Sequence, residues 1–139
     1  MKLKLLLTAT ALLLCFHAEA ETKIVSSPNG KLVVTIENAG GLTNYSIQYN
    51  SKQILEPSAL GLFTDLGDLT NNLQLTSSVF SKQKTAYDMT RTKASKITYK
   101  ANRLDLNFEN DKKLKMTITF QVADNSVAYR YSLPKENGV

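Results

Sequence analysis

The sequence predicts an all-β domain built as an antiparallel β-sandwich, and three observations support this prediction. Apolar and polar residues alternate almost without interruption from Lys113 to Leu133. Because successive strand side chains point to opposite faces, this alternation describes a hairpin with one buried face and one solvated face. About eight to ten short strand patterns, separated by turn residues, follow the first twenty residues. No long helical pattern occurs after residue 20, which argues against a mixed α/β domain.

The first segment of the chain has the pattern of a secretory signal. Two lysines lie within the first four residues, Leu5–Phe16 is an apolar run, and Ala18–Ala20 has the small-x-small form of a cleavage site. The apolar run is shorter than the roughly 20 residues that a membrane span needs. We therefore expect residues 1–20 to be a cleaved signal helix. Residues 21–139 would then be the mature domain, located in the periplasm or outside the cell, with no membrane span.

The composition excludes several classes of function. Cys15 and His17 are the only cysteine and histidine, and both lie in the signal segment. The mature domain therefore cannot form a Ser-His-Asp or Cys-His triad, an ordinary zinc site or a disulfide. Leu14 precedes Cys15 where a lipoprotein signal would have a small residue, which favours a soluble exported protein. The net charge is +5, but the basic residues are scattered, which argues against nucleic-acid binding.

The first half of the mature domain predicts an antiparallel meander. Turn residues, including Asn-Gly and Gly-Gly pairs, alternate with segments in which every second residue is apolar. The predicted strands are Lys31–Ile36, Tyr45–Tyr49 and Lys52–Leu55. The predicted turns are Ser26–Gly30, Asn38–Gly41 and Asn50–Ser51.

The second half is less regular until the final hairpin. Glu56–Ser58 is predicted to break the strand because Pro57 cannot donate to a ladder. Asp65–Thr85 is polar and without clear periodicity, although four apolar residues within it indicate some packing, namely Leu73, Leu75, Val79 and Phe80. The predicted strands of this half are Leu60–Phe63, Tyr87–Thr92, Ile97–Ala101 and Arg103–Phe108, followed by a turn at Glu109–Lys112.

The acidic and amide side chains could supply two kinds of site. Asp65, Asp68, Asn71 and Asn72 could supply oxygen ligands to calcium, but their spacing does not match the twelve-residue calcium loop, so turn formation is favoured. Glycoside hydrolysis needs two carboxyl groups that flank the bond. No pair of carboxylates stands out by position, and we nominate no catalytic, cofactor-binding or metal-binding residue.

A mixed aromatic and basic group lies near the end of the chain. Tyr129 and Tyr131 share the inward parity with Val127 and Leu133, so core packing is favoured over stacking on a sugar. Arg130 has the opposite parity and points to the other face. It is therefore the one candidate for an interdomain or sugar-facing contact.

A family resemblance rests on the order and spacing of three segments, which are Ser27–Leu32, Leu55–Leu62 and Val127–Pro134. With them, residues 24–138 resemble the N-terminal domain of glycoside hydrolase family 97, the α-glucosidases and α-galactosidases typical of Bacteroidetes. The resemblance implies a galactose-mutarotase-like supersandwich that packs on a catalytic (β/α)8 barrel. It also implies an oligosaccharide substrate bound through that barrel, and calcium in the full-length enzyme.

The resemblance further implies that the chain is truncated and covers about half of the family's sandwich. The expected function is then a non-catalytic portion of a secreted α-glycosidase that supports the barrel and its carbohydrate pocket. An incomplete sandwich would leave unpaired edges and uncovered apolar faces, so we expect poor solubility of the isolated chain. The alternative is an independent exported carbohydrate-binding or adhesion module.

Overall fold

The computed structural model describes residues 20–88 and 96–135, which form ten β-strands. The signal segment lies outside these residues except for Ala20, and so does most of the predicted strand Tyr87–Thr92. No helix in the described ranges is long and apolar enough to cross a membrane. The strands are β1 (Glu21–Ser26), β2 (Leu32–Ala39), β3 (Leu42–Tyr49), β4 (Lys52–Leu60), β5 (Leu62–Thr64), β6 (Gly67–Leu69), β7 (Gln74–Asp88), β8 (Lys96–Glu109), β9 (Lys115–Ala123) and β10 (Ser126–Ser132).

Two four-stranded antiparallel sheets pack face to face. The first sheet has the order β1-β2-β3-β4, and the second has the order β10-β9-β8-β7. The short hairpin β5-β6 connects them. Each four-stranded sheet is a simple meander, and the predicted all-β sandwich is confirmed.

Tight turns fix the register of the first sheet. Asn50 and Ser51 have φ angles of 48° and 63°, and Gly40 and Gly41 have φ angles of 59° and 79°. Two successive positive φ angles define the hairpin turn whose twist matches that of the flanking strands. Both turns were predicted from the sequence, and both hold the pairing of β3 with its neighbours.

The core lies between the two sheets and consists of the alternating apolar residues. Phe120 and Ile118 are fully buried, which confirms the inward parity predicted for these residues of the final hairpin. Val34 on β2 and Leu106 on β8 are also fully buried, as predicted for their strands. The other buried members of this cluster are Val25, Leu32, Ile36, Leu60, Leu69, Leu73, Leu104, Phe108, Met116 and Val122.

The sheets are offset by one strand. Across the core β1 contacts β8, and β2 contacts β9. Tyr45 on β3 packs on Tyr129 on β10, with ring centroids 5.4 Å apart. In this alignment β7 extends past β1 at one side of the sandwich, and β4 extends past β10 at the other side. Part of the inner face of each overhanging strand is therefore uncovered.

The predicted break at Pro57 is wrong, because β4 continues from Lys52 to Leu60. The pairing of β4 with β3 shifts register between Tyr45 and Ile47, and Glu56 and Pro57 have no partner in the ladder. An edge strand with a bulge tolerates a residue that cannot donate. The proline therefore interrupts pairing locally without ending the strand.

Two further predictions in the second half are wrong. Residues 74–85 belong to the segment Asp65–Thr85 that was predicted to be irregular, but they form most of the fifteen-residue strand β7. The two short strands predicted for residues 97–108 are one continuous strand, β8. Because β7 lies at a sheet edge and is exposed along most of its length, it carries no alternation that the sequence could reveal. Strand β1 was also not predicted.

Two individual residues also differ from prediction. Phe63 was placed in a buried strand, but it is 78% exposed on the connecting hairpin. Lys113 was placed in the last hairpin, but it has a φ of 66° and lies in the preceding turn. The side chain of Asn110 closes that turn by accepting hydrogen bonds from the N–H groups of Lys112 and Leu114, at 3.0 and 2.9 Å.

Candidate functional surface on the second sheet

The outer face of the second sheet carries a continuous set of polar side chains, which we call the polar face. These residues occupy the parity opposite to the core residues of the same strands, so one alternating pattern produces both faces. The polar face consists of Gln83, Arg103, Asp105, Asn107, Thr117, Thr119, Gln121 and Arg130.

Asp105 is the centre of the polar face. Its Oδ1 atom accepts hydrogen bonds from Nε and Nη2 of Arg103, at 3.0 and 2.9 Å, and from the hydroxyl of Thr119. Partial burial alone would raise the pKa of Asp105. The hydrogen bonds from Arg103 and Thr119, with the charges of Arg103 and Arg130, outweigh that effect and lower the pKa. Asp105 is therefore held as a carboxylate.

Amide and hydroxyl groups form two further hydrogen-bonded clusters beside Asp105 on the polar face. Thr117 donates to Oδ1 of Asn107 at 2.6 Å, and Asn107 donates to the hydroxyl of Ser77 at 2.9 Å. Gln121 donates to Gln83 at 2.6 Å. Thr119 is only 7% exposed although it lies on the outer face, because the longer side chains around it exclude water. The polar face is thus pre-ordered rather than a set of freely moving side chains.

Arg130 lies at the side of the polar face nearest the sheet edge. It is paired with Thr119 across the strands and is exposed. It forms no ion pair with any other residue in the described part of the chain. A shallow groove of about 230 Å³ runs past it, lined by Gln83, Arg103, Thr119, Gln121, Ala128 and Arg130.

The two tyrosines beside Arg130 point into the sandwich, as their parity predicted. Tyr129 packs on Phe120, with ring centroids 5.4 Å apart, and on the edge of Tyr131 at 5.8 Å. The hydroxyl of Tyr131 accepts a hydrogen bond of 3.1 Å from the N–H of Gly61, which ties β10 to the end of β4. Packing is their main role, although Tyr129 remains 43% exposed.

The Asp68 loop forms a turn, which is the interpretation that the sequence favoured. Asp68 accepts hydrogen bonds from the N–H and hydroxyl of Thr70 and a weaker one from Asn71 at 3.3 Å. The hydrogen bonds from Thr70 are the main reason that the pKa of Asp68 is lowered. Within residues 20–88 and 96–135, no group of three or more His, Cys, Asp or Glu side chains could hold a metal ion. These residues do not fit the calcium that the family resemblance implies for the full-length enzyme.

The carboxyl groups whose pKa is shifted do not suit acid catalysis of glycoside hydrolysis. Lys113 donates a hydrogen bond of 2.8 Å to Glu109 and lowers the pKa of that carboxyl group. The pKa is also lowered for Asp68 and Asp105, so all three of these carboxyl groups have a lowered pKa. A general acid in this chemistry needs a raised pKa. These groups stabilise turns and the polar face instead.

Comparison with protein families decides the identity of the domain. The family model described as Glycosyl-hydrolase 97 N-terminal matches residues 25–139. The chain belongs to this family. Its two meanders are therefore the family's N-terminal sandwich region, and the resemblance inferred from three short segments is confirmed.

Individual relatives agree with this assignment. A protein named "Probable retaining alpha-galactosidase" from Streptomyces bingchenggensis is 29% identical over 98% of the chain and 23% of its own length. The crystal structure of a beta-arabinopyranosidase is 40% identical, with a TM-score of 0.77, over 83% of the chain and 18% of its own length. A family 97 enzyme from a Pseudoalteromonas species, solved in complex with panose, is 23% identical with a TM-score of 0.74, over 84% of the chain and 18% of its own length. The chain thus spans about a fifth of the length of these relatives.

The sequence indicated Arg130 but not the network beside it. The sequence did contain a pattern that could have indicated this network. Every second residue of one strand is polar at Arg103, Asp105 and Asn107, which places them on a common face. In the sequence such a pattern looks the same as an ordinary solvated face. Only the pairing of β8 with β9 brings Thr119 against Asp105 and reveals the hydrogen bonds at the centre of the face.

Proposed function

We propose that this domain is the non-catalytic N-terminal part of an exported α-glycosidase, and that its polar face docks on the catalytic barrel of that enzyme. Family membership over residues 25–139 is the observation that carries the proposal. The names of the relatives, an α-galactosidase and a beta-arabinopyranosidase, support glycoside hydrolysis as the activity of the whole enzyme. The oligosaccharide substrate then binds mainly to the barrel, which also supplies the calcium ligands.

The physical state of the polar face supports docking. Its central groups are already hydrogen-bonded to one another, so a partner can cover them without leaving an unsatisfied polar atom. Arg130 is the exception, since it is exposed and forms no ion pair with the other described residues. A guanidinium in this position can bind a carboxylate of the neighbouring domain through two parallel hydrogen bonds.

A chimeric enzyme tests the docking role. In the 40% identical beta-arabinopyranosidase, the matched N-terminal region would be replaced by this domain. Arg130→Glu in the chimera should lower both the melting temperature and hydrolysis, because it reverses the charge at the interface. Lys84→Glu on β7 is the matched control, since it reverses the charge of an exposed residue outside the polar face. If both variants behave like the parent chimera, the docking role of Arg130 is wrong.

Direct binding of carbohydrate is the second candidate, and the groove beside Arg130 favours it. The groove presents amide, hydroxyl and guanidinium groups, which are suitable partners for sugar hydroxyls. Calorimetry of the isolated domain against maltose and galactose tests it. Heat that disappears with Arg130→Ala would support an independent carbohydrate-binding module, whereas no heat with either sugar would count against it.

The proposal includes export and a source among Bacteroidetes, which rest on the first twenty residues and on the family resemblance. Cleavage after Ala20 would leave Glu21 as the first residue of the mature protein. Expression in a bacterial host, followed by fractionation and mass measurement, checks this. We expect a periplasmic or secreted species that lacks residues 1–20. A species that keeps its signal segment in the cytoplasm would contradict export.

A further inference from the structure

The hairpin formed by β7 and β8 extends beyond the rest of its sheet. Strand β9 pairs with β8 only from Ala101 to Glu109, so residues 96–100 of β8 have β7 as their one neighbour among the described strands. Residues 84–88 of β7 pair with residues 96–100 in regular register, and we call these two segments the arm. At about 3.4 Å per residue, the arm continues for roughly 15 Å past the last residue that pairs with β9.

The apolar residues change sides between the sandwich and the arm. In the sandwich, Leu104 and Leu106 of β8 point into the core. In the arm, the apolar residues of the same strand are Ile97 and Tyr99, which have the opposite parity, that of Arg103 on the polar face. A strand that buries one side along its whole length keeps a single apolar parity. The change of parity therefore indicates that the arm buries its outer side.

Strand β7 contributes to the same side of the arm. Thr85 lies opposite Tyr99, and Tyr87 lies opposite Ile97, so these four residues form one surface, which we call the aromatic side. Tyr87 is 47% exposed. Within the described residues, none of the four belongs to the core cluster or to a pair of packed aromatic rings. The sandwich thus leaves the aromatic side uncovered.

The other side of the arm is charged and suited to water. Lys84 lies opposite Lys100, Asp88 lies opposite Lys96, and all four are exposed. Like charges that are directly opposite destabilise a strand pair, and a two-stranded hairpin without a covering layer is marginally stable in water. The arm therefore needs a covering layer, and only the aromatic side offers apolar surface to one.

We propose that the aromatic side of the arm packs on an apolar surface of the parent glycosidase outside this domain. The inference rests on the proposed function, because it requires the domain to be part of a longer enzyme. The chain spans about a fifth of the length of its relatives, so most of the enzyme's surface lies outside the domain. The aromatic side also continues the polar face along the same side of β7 and β8, so one partner can cover both.

The charges of the arm disfavour a second copy of this chain as the partner. Each arm carries three lysines and one aspartate, so two arms placed together would repel each other. A partner that covers only the aromatic side leaves these charges in water. The arm then adds apolar contact area to the docking surface, while the polar face supplies directional hydrogen bonds.

Two matched double variants of the chimera described above test the proposal. Tyr87→Thr with Tyr99→Thr removes both rings and keeps a residue type that favours strands. Lys84→Thr with Lys100→Thr makes the same replacement on the charged side. The tyrosine variant should lower the melting temperature of the chimera by at least about 3 °C, but that of the isolated domain by less than about 1 °C. The lysine variant should lower neither.

Amide hydrogen exchange shows directly whether the arm is covered. The amides of residues 84–88 and 96–100 should exchange at least about tenfold more slowly in the chimera than in the isolated domain, and the tyrosine variant should remove this difference. Equal exchange in the two proteins, or a tyrosine variant of the chimera as stable as the lysine variant, would overturn the proposal. Protection that rises with the concentration of the isolated domain would also overturn it, because a second copy would then be the partner.

The variant Arg130→Glu separates this proposal from the docking of the polar face. If Arg130→Glu destabilises the chimera and the tyrosine variant does not, the polar face docks and the proposal for the arm is wrong. If only the tyrosine variant destabilises the chimera, the arm docks and the role proposed for Arg130 is wrong.

Discussion

Strands β9 and β7 belong to the same sheet, yet they lie in different environments. On β9, Ile118 and Phe120 are fully buried, because the first sheet covers that face. On β7, Val79 and Phe80 point to opposite faces and are 54% and 53% exposed. The offset between the two sheets is the cause, since it leaves β7 beyond the edge of the opposite layer.

This difference shows what a strand pattern in a sequence reports. Alternation arises where one face is buried and the other is solvated, so it marks covered strands rather than strands in general. β9 is covered and was predicted from the sequence. β7 is paired with β8 along fifteen residues, but most of its residues are exposed, and it was missed except at its last residues.

Truncating one phenylalanine on each strand should give the largest contrast. Phe120→Ala should lower the free energy of unfolding by about 4 kcal/mol, because it removes a fully buried ring and leaves a cavity. Phe80→Ala should cost less than about 1 kcal/mol, since its ring is already half exposed. Urea denaturation followed by circular dichroism measures both. Similar losses for the two variants would mean that β7 is as well covered as β9.

The acid stability of the domain should depend on Asp105 on the polar face. Its pKa is lowered in the folded state, so its contribution to stability is present above the unfolded value near 3.8 and is lost as the pH falls through the lower folded value. Asp105→Asn should cost about 1–2 kcal/mol at pH 7 and flatten the loss of stability below pH 4. Asp88→Asn on β7 is the control. If the Asp105 variant lost stability below pH 4 as steeply as the parent chain, the hydrogen bonds to Asp105 would add no stability.

The hydrogen bond between the two layers at Tyr131 should have a smaller effect. Tyr131→Phe removes the acceptor for the N–H of Gly61 and keeps the ring, so we expect a loss of about 1 kcal/mol. Tyr87→Phe on the exposed end of β7 should change stability by less than about 0.5 kcal/mol. Thermal unfolding of both variants measures the difference. Equal melting temperatures for the two would argue that this contact does not join the sheets.

The smallest effect on stability is expected on β7 itself. Val79→Thr with Phe80→Thr should change the free energy of unfolding by less than about 0.5 kcal/mol, yet it should raise solubility by removing exposed apolar surface. Concentration at the onset of precipitation, compared with the parent chain, measures this. A parent chain that is already highly soluble would contradict the poor solubility expected from its uncovered faces.

The candidate site was less predictable than the fold. Parity alone placed Arg130 on the outer face, and the structure agrees. The arrangement of Arg103, Asp105 and Thr119 depends on which residues of β8 and β9 are opposite each other, and a turn of different length would have separated them. The sequence contains these residues, but the register that joins them is a property of the folded sheet.

Amide hydrogen exchange across the whole domain tests the central claim, that two offset sheets bury one face of each covered strand. The amides of β9 should exchange only through global unfolding, and the amides of β7 that are hydrogen-bonded to β8 should exchange orders of magnitude faster, since both sets are paired but only β9 is covered. Equally fast exchange on β9 and β7 would contradict the account, because it would mean that no layer covers β9.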